Sequence, residues 1–399
     1  MVIPGPGRRK RLGPARRVLT LLGVAVVLYL GFFALTALLR RYPLVAPDPT
    51  PPAAVMGAWH VHSSRSDGRG TPEEIAKAAA EAGLEFVVLA DHNVDPSPPR
   101  FEHGVLLIDA VEVSTPHGHV VALGVPRALT EEERKGDVLA TITSLGGAGF
   151  LAHPEQKKNP WRDWPSAPKA AGLELYSADS MFRTAQRSPV TVFAPATASW
   201  LTNPIHGLMT VVTDQPALRD RLLMLATAAP FAAICAHDAH GLPSYLSEFR
   251  TLAIQIAPPP GQTGLPEDPV EAARHVTDAI AHGHTSCVFR AIAGGAGFEL
   301  QGAEDPSVGG TLKVKLPARR PEEIQIRVHG AGVLDADGTT VRLDREGAVQ
   351  VEVWSKVPGM YFQDGWKPWL VSNPLRVRPA VPAAPAPAPA PSVSTEPPP

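Results

Sequence analysis

The chain has 399 residues, 44% of them hydrophobic and 19% charged, with a formal net charge of −2. That length exceeds one ordinary domain and can bury a sizeable core, while the near-neutral balance excludes the basic field expected of a nucleic-acid-binding protein. Only Cys235 and Cys287 are present, which excludes a disulfide framework and a CxxC zinc site. Each lies in an apolar run, which favours buried free thiols, and a single bridge between them is compatible with the same residues.

Residues 1–17 read as a basic cytoplasmic leader: "RRKRLGPARR" is rich in Arg and Lys, and no acidic residue precedes Asp48. Residues 18–40 read as a transmembrane anchor. The run "VLTLLGVAVVLYLGFFALTALL" carries no charge and matches the roughly 20 residues a helix needs to cross a bilayer. A buried soluble helix would not be apolar all round with basic flanks. A cleaved signal peptide is the closer rival, but its apolar part normally runs about 7–15 residues and ends in an A-x-A-like site. The leader's charge keeps the N-terminus in the cytoplasm and sends the rest outside, to the periplasm or the cell exterior; Arg40 and Arg41 oppose this weakly. Residues 41–56 form a proline-rich linker, stiff and extended.

From 57 to 290 short apolar runs alternate with helical patterns. "TPEEIAKAAAEAG" predicts a helix with Thr71 as cap, Pro72 in the first turn, Glu74 completing a capping box and Gly83 ending it. "LEFVVLA", "HVVALGV", "AGFLAHP", "AGLELY" and "FAAICAHDAH" predict buried strands. Between several of them lie helix-like stretches such as "TEEERKGDVLATITSLG" and "ALRDRLLMLATAA". The alternation predicts an α/β fold with a parallel sheet, and polar residues gathered at strand ends suggest a barrel. From 291 to 378 the pattern changes to period two, in "TLKVKL", "IQIRVH", "VQVEVW" and "LRVR", with a hairpin signal at "DADG". This predicts a small antiparallel β domain with one wet face. Residues 379–399, rich in Pro and Ala, are expected to be disordered.

The strand ends carry an unusual set: His60, His62, Asp67, His92, Glu112, His119, His153, Asp238 and His240. In a strand, residues i and i+2 share a face, so His60 and His62 can reach one ion. Each histidine taken alone reads most simply as a hydrogen-bonded loop residue. Taken together, nine nitrogen and oxygen donors without a thiolate suit two or three divalent ions (Zn, Mn or Fe) in a hydrolytic site. Asp91, beside His92, is expected to orient an imidazole from behind.

In order and spacing, "HVHSSRSDG", "ADHN", "VEVS" with "GHVVALG", "AHP" and "AHDAH" resemble the motifs of the PHP (polymerase and histidinol phosphatase) superfamily. The resemblance covers about residues 57–290. It implies a distorted β/α barrel, here preceded by one transmembrane helix and followed by the small antiparallel β domain, with up to three metals at the barrel's carboxyl end. It places the first metal on His60, His62, Glu112 and Asp238, a second on Glu112, His119 and His153, and a third on Asp67, His92 and His240. Glu112, Asp238 and His153 are then the expected catalytic residues. The ending "VEVW…KPWLVSNPLRVR" resembles, more loosely, the CehA/McbA-type branch of metallohydrolases.

Three positions depart from that pattern or leave it open. Ala58 stands where many relatives carry Asp, His237 precedes Asp238, and His117 competes with His119 as a ligand. The resemblance implies a membrane-anchored, extracytoplasmic phosphoesterase that attacks a small phosphorylated substrate with metal-bound hydroxide. Arg65, Lys157, Lys158 and Arg162 either neutralise phosphate or are solvated loop charges. The alternatives are hydrolysis of a carboxyl ester, carbamate or amide, and a glycan-binding protein with a scaffold barrel. Nucleic acid is not an expected partner.

Overall fold

Pro14 starts the first helix, where its missing N–H costs nothing because the first-turn donors have no helical partner. In the computed structural model, which describes residues 13–380, this helix α1 (Pro14–Leu38) begins four residues before the predicted span and buries only Phe33 and Ala37 fully. The leader before residue 13 and the tail beyond residue 380 lie outside the described residues.

The α/β portion follows in order as β1 (Val55–Val61), α2 (Pro72–Ala82), β2 (Phe86–His92), β3 (Arg100–Glu102), β4 (Val105–Thr115) and β5 (Gly118–Leu123). Then come α3 (Glu131–Lys135), α4 (Val138–Ser144), β6 (Ala148–Ala152), β7 (Gly172–Ser177), α5 (Ala178–Ala185), α6 (Ala194–Trp200) and α7 (Pro204–Val211). It continues with α8 (Pro216–Ala228), β8 (Ala232–Ala236), α9 (Tyr245–Thr251), β9 (Ala253–Ile256), α10 (Pro269–Ala281) and β10 (Thr285–Val288). The capping box forms as the residues predict: Thr71 Oγ1 accepts from Glu74 N at 3.2 Å, and Glu74 Oε2 accepts from Thr71 N at 2.8 Å. Gly83 ends α2 at φ +71°, a conformation that favours glycine.

The sheet is mixed, not parallel. The pairs β1–β2, β2–β4, β6–β7 and β7–β8 are parallel, but β4–β5, β5–β6, β1–β9 and β9–β10 are antiparallel. Only Pro116 and His117 separate β4 from β5. So short a link can reverse the chain but cannot carry it back for a parallel crossover. The path β1-β2-β4-β5-β6-β7-β8 curls until its ends meet. There His62 N donates to Ala239 O at 2.9 Å, and His237 N donates to Trp59 O at 3.0 Å.

The C-terminal strands are β11 (Glu299–Gln301), β12 (Thr311–Lys315), β13 (Ile324–Gly330), β14 (Val333–Leu334), β15 (Thr340–Arg342), β16 (Gly347–Lys356), β17 (Trp366–Ser372) and β18 (Leu375–Val377), all in antiparallel pairings. Four of them form a separate sheet, β11-β12-β15-β14, while β17 pairs with β10 and so extends the large sheet across the expected break at residue 290. The predicted wet face survives in β12, where exposed and buried residues alternate. It is lost in β16, buried from Ala348 to Ser355. The reason is Arg219 on α8: its Nε lies 3.1 Å from Glu352 Oε1, and Trp354 Nε1 donates to Glu352 Oε2 at 2.7 Å. A buried carboxylate is tolerated when so paired.

The expectation of free thiols is also corrected. Cys235 on β8 and Cys287 on β10 form a disulfide with a Cα–Cα distance of 5.7 Å. Each lies in its own strand, and the curl of the sheet brings the two strands together, a tertiary effect that neither local sequence encodes.

Candidate metal centre

The ladder sets the site's frame. His92 and Glu112 are register partners across β2 and β4, and His119 on β5 pairs with Ala152, next to His153. His60 and His62 stand at the end of β1, where the register against β2 shifts, and Asp238 follows β8. His60, His153 and Asp238 have φ of +62°, +31° and +51°. Left-handed backbone costs a non-glycine residue about 1–3 kcal/mol and persists where the surroundings impose it, often at functional sites.

All nine predicted residues gather. Glu112 is the centre: its Oε2 lies 3.3 Å from His60 Nε2, 3.2 Å from His62 Nε2 and 3.1 Å from His92 Nδ1. Its Oε1 lies 2.7 Å from His119 Nδ1 and 2.9 Å from His153 Nε2. Asp238 Oδ1 lies 3.6 Å from His60 Nε2 and 3.3 Å from His62 Nε2. Asp67 sits on the rim with its side chain 54% exposed, 3.7 Å from His92 Nε2 and 3.4 Å from His240 Nε2.

The donor geometry fits a cation better than a hydrogen-bond network. His60 Nε2, His62 Nε2, His92 Nδ1 and Glu112 Oε2 are buried, converge within these distances, and make no hydrogen bond. Donors arranged tetrahedrally about 2.1 Å from one ion stand about 3.4 Å apart, close to the separations found among His60, His62, Glu112 and Asp238. Among the described residues three donor groups are tight enough for an ion: His60, His62 and Asp238; His62, Asp67 and His92; and His92, Glu112 and His119. His62 and His92 each belong to two of them, so this grouping divides the ligands differently from the family pattern.

The electrostatics also favour positive charge at this point. Burial opposes protonation of His60, yet the carboxylates of Glu174, Glu112 and Asp238 hold its pKa well above the ordinary value. Burial likewise opposes the charge on Glu112, and the imidazoles around it hold its pKa well below the usual carboxylate range.

No family model matches the chain, and no curated protein matches it. Among solved structures it is similar to a two-domain protein containing a predicted PHP-like metal-dependent phosphoesterase from Bacteroides vulgatus. The TM-score is 0.39 and the identity 14%, over 84% of this chain and 99% of that one. It is similar also to a proposed metal-dependent phosphoesterase from Bifidobacterium adolescentis (TM-score 0.29, 16% identity, 48% of this chain and 90% of that one). A third is an amidohydrolase from Chromobacterium violaceum (TM-score 0.28, 14% identity, 46% and 87%). At these scores the chemistry of the site rests on its own residues.

Glu174, not among the expected site residues, is a principal support. Its Oε1 accepts from Trp59 Nε1 at 2.9 Å and lies 2.6 Å from His60 Nδ1, while its Oε2 accepts from His153 N at 2.7 Å. It therefore fixes the His60 ring so that Nε2 faces the cluster. The available signal was a lone acid inside the apolar run "GLELYS", since a buried acid needs partners. His240 is fixed in a similar way, its Nδ1 lying 2.9 Å from Asp238 O.

Other expectations change. Asp91 does not orient an imidazole. It neighbours His92 in the same strand and so points to the opposite face, where it accepts from Ser63 N, Ser63 Oγ and Ser66 Oγ at 2.8, 2.6 and 2.6 Å and shapes the loop after His62. His237 turns away from the cluster, its Nε2 lying 2.9 Å from Leu252 O, and burial pushes its pKa down to about 4. His117 is exposed and outside the cluster, which contains His119. Arg65 is committed to Asp109 and to the Asp95 carbonyl, Arg162 to the loop carbonyl of Pro116, and Lys157 and Lys158 are exposed. Asp179, not foreseen, stands at the start of α5: its N donates to His237 O at 3.4 Å, next to Asp238 in the chain, and its carboxylate pairs with Arg183.

Proposed function

We propose that the chain is a metal-dependent hydrolase of the PHP superfamily, a phosphoesterase acting on a small phosphorylated substrate and held to a membrane by α1. The carrying observation is the convergence of His60 Nε2, His62 Nε2, Glu112 Oε2 and Asp238 Oδ1, with histidine-to-carboxylate separations of 3.2–3.6 Å. We read the curled sheet as the distorted β/α barrel of that superfamily, and the strands after residue 290 as the appended part of a CehA/McbA-type enzyme. The Cys235–Cys287 disulfide supports an extracytoplasmic, oxidising location for the α/β part.

The donor set suits two or three divalent ions of zinc, manganese or iron, which supply Lewis acidity and water activation when bound. The chain's part is placement. Glu112 presents one oxygen to His60, His62 and His92 and the other to His119 and His153, so it ties the two halves of the site together. Glu174 orients His60. The buried centre limits competing water, and the exposed rim at Asp67 is where a substrate can approach. In the reaction a water oxygen bonds to phosphorus, the bond from phosphorus to the leaving oxygen breaks, and the water's proton passes to the leaving group. No Ser or Cys nucleophile is required.

One observation favours the second reading, hydrolysis of a carboxyl ester, carbamate or amide. Arg65, in the loop between His62 and Asp67, is already paired with Asp109 and does not offer its charge to a phosphate. The deciding experiment assays the purified protein on phosphomonoesters, phosphodiesters and carboxyl esters, before and after chelation and after return of each metal. Phosphoester turnover lost on chelation and restored by metal supports the proposal. Metal-restored turnover on carboxyl esters alone moves the assignment to the second reading.

A further inference from the structure

From Ser188 to Thr213 the chain carries no Asp, Glu, Lys or Arg. This stretch lies within the crossover from β7 to β8 and comprises a single π turn (Pro189–Phe193), α6 and α7. An apolar crossover would ordinarily be buried, yet here Val190 is 62% exposed and Leu201 84%. Beside it, the loop after β16 exposes Tyr361 (49%) and Phe362 (51%).

Both segments are joined to α1. Thr202 Oγ1 donates to Ala34 O at 2.6 Å, and Tyr29 Oη donates to Val190 O. Asn203 Nδ2 donates to Ala37 O and Arg40 O at 3.1 and 3.0 Å, tying α7's N-cap to the last turn of α1 and the residues after it. The Phe33 ring lies 5.8 Å from both Tyr361 and Phe362. The uncharged run ends at Leu39. At 1.5 Å per residue, Ala34 and Tyr29 lie roughly 8 and 15 Å inside that end. Whatever is bonded to them lies at similar depth.

We infer that residues 189–201 and 360–362 form a bilayer-seated surface, with lipid as its occupant, that fixes the hydrolase rigidly to the membrane beside its anchor. The inference rests on the proposed reading of α1 as a membrane span. The absence of charge, the exposed Val and Leu, and the aromatic pair Tyr361 and Phe362 match an interfacial element. Irregular backbone is tolerated at membrane depth where protein covers it, and the Val190 carbonyl of the π turn is taken up by Tyr29. The same crossover starts beside the metal cluster, with Asp179 N bonded to His237 O. It reaches Pro189 through α5, about 12 Å long. The surface is thus joined through α5 to the strand end that precedes Asp238.

The test uses the full chain reconstituted in phosphatidylglycerol and phosphatidylethanolamine vesicles that contain spin-labelled lipid. Both native cysteines are paired and buried, so a fluorophore can be placed singly at Leu201→Cys or Phe362→Cys. Val27→Cys in α1 serves as the anchor reference, and the exposed Val270→Cys and Val333→Cys as water references. The surface predicts that emission at 201 and 362 is largely lost to spin-labelled lipid, as at 27, and is shielded from iodide. Quenching at 27 with 201 and 362 behaving like 270 and 333 overturns the surface alone. Shielding from iodide without quenching by lipid means that protein, such as a second copy, covers it, and overturns it equally. Absence of lipid quenching at 27 overturns the anchor reading together with the surface.

Discussion

Glu174 touches three partners from a strand whose other side chains include Leu173, Leu175 and Tyr176, and none of those partners is its sequence neighbour. Its role is to hold His60, so Glu174→Gln should keep the fold and weaken metal affinity by about 10–100-fold. Metal titration of the variant, with circular dichroism as a check on folding, measures this; unchanged affinity would assign Glu174 to packing alone. The gathering of the nine side chains was legible because their types and order survive in the linear sequence. Glu174, Asp179 and the true direction of Asp91 were not, because each is decided by which face of a strand or which crossover meets the cluster. A second residue, Lys367, gives a pH signature. Its ammonium is buried on β17 and donates to Val212 O and Gln363 Oε1, and burial lowers its pKa to about 7. Between that value and the ordinary 10.5 the unfolded chain binds more protons than the folded one, so stability rises with pH across this window. Measured against Lys367→Met, the wild type should gain up to about 1.4 kcal/mol per pH unit between pH 7 and 10. Parallel Tm curves for the two proteins would contradict it.

At the scale of elements, the α2 capping box and the period-two strands were legible because their signals are local. The antiparallel β5 was less so, since the same apolar run serves either direction and only the two-residue link to β4 decides it. The buried polar face of β16 depends on Arg219 arriving from α8, and the Cys235–Cys287 bond on β8 and β10 being brought together by the curl. That bond closes a separation of 52 residues. Replacing both cysteines with Ser should lower stability by about 2–4 kcal/mol in denaturant titration, and reduction of the wild type should have a similar effect. No shift in either case would mean that the two thiols are free.

For the whole molecule, the three-part arrangement of apolar helix, α/β portion and antiparallel strands could be read from changes in sequence texture. The continuity between the last two parts could not, because the β10–β17 pairing joins segments far apart in the chain. A chain ending at residue 290 leaves the β10 edge open and Arg219 without Glu352. It should therefore be insoluble or clearly less stable, as sedimentation and thermal melting would show. A soluble truncated chain with an unchanged Tm would separate the two parts after all.

In the proposed function, the cluster around Glu112 and Asp238 holds the metal that does the chemistry. The most direct test is bound metal, measured by plasma mass spectrometry beside turnover, in the wild type, Glu112→Gln, Asp238→Asn and Lys157→Ala. Removing a carboxylate from between facing cations should strip metal and turnover together. Lys157→Ala, altering an exposed loop charge, should keep its metal. Full metal content and normal turnover in both carboxylate variants would contradict the claim.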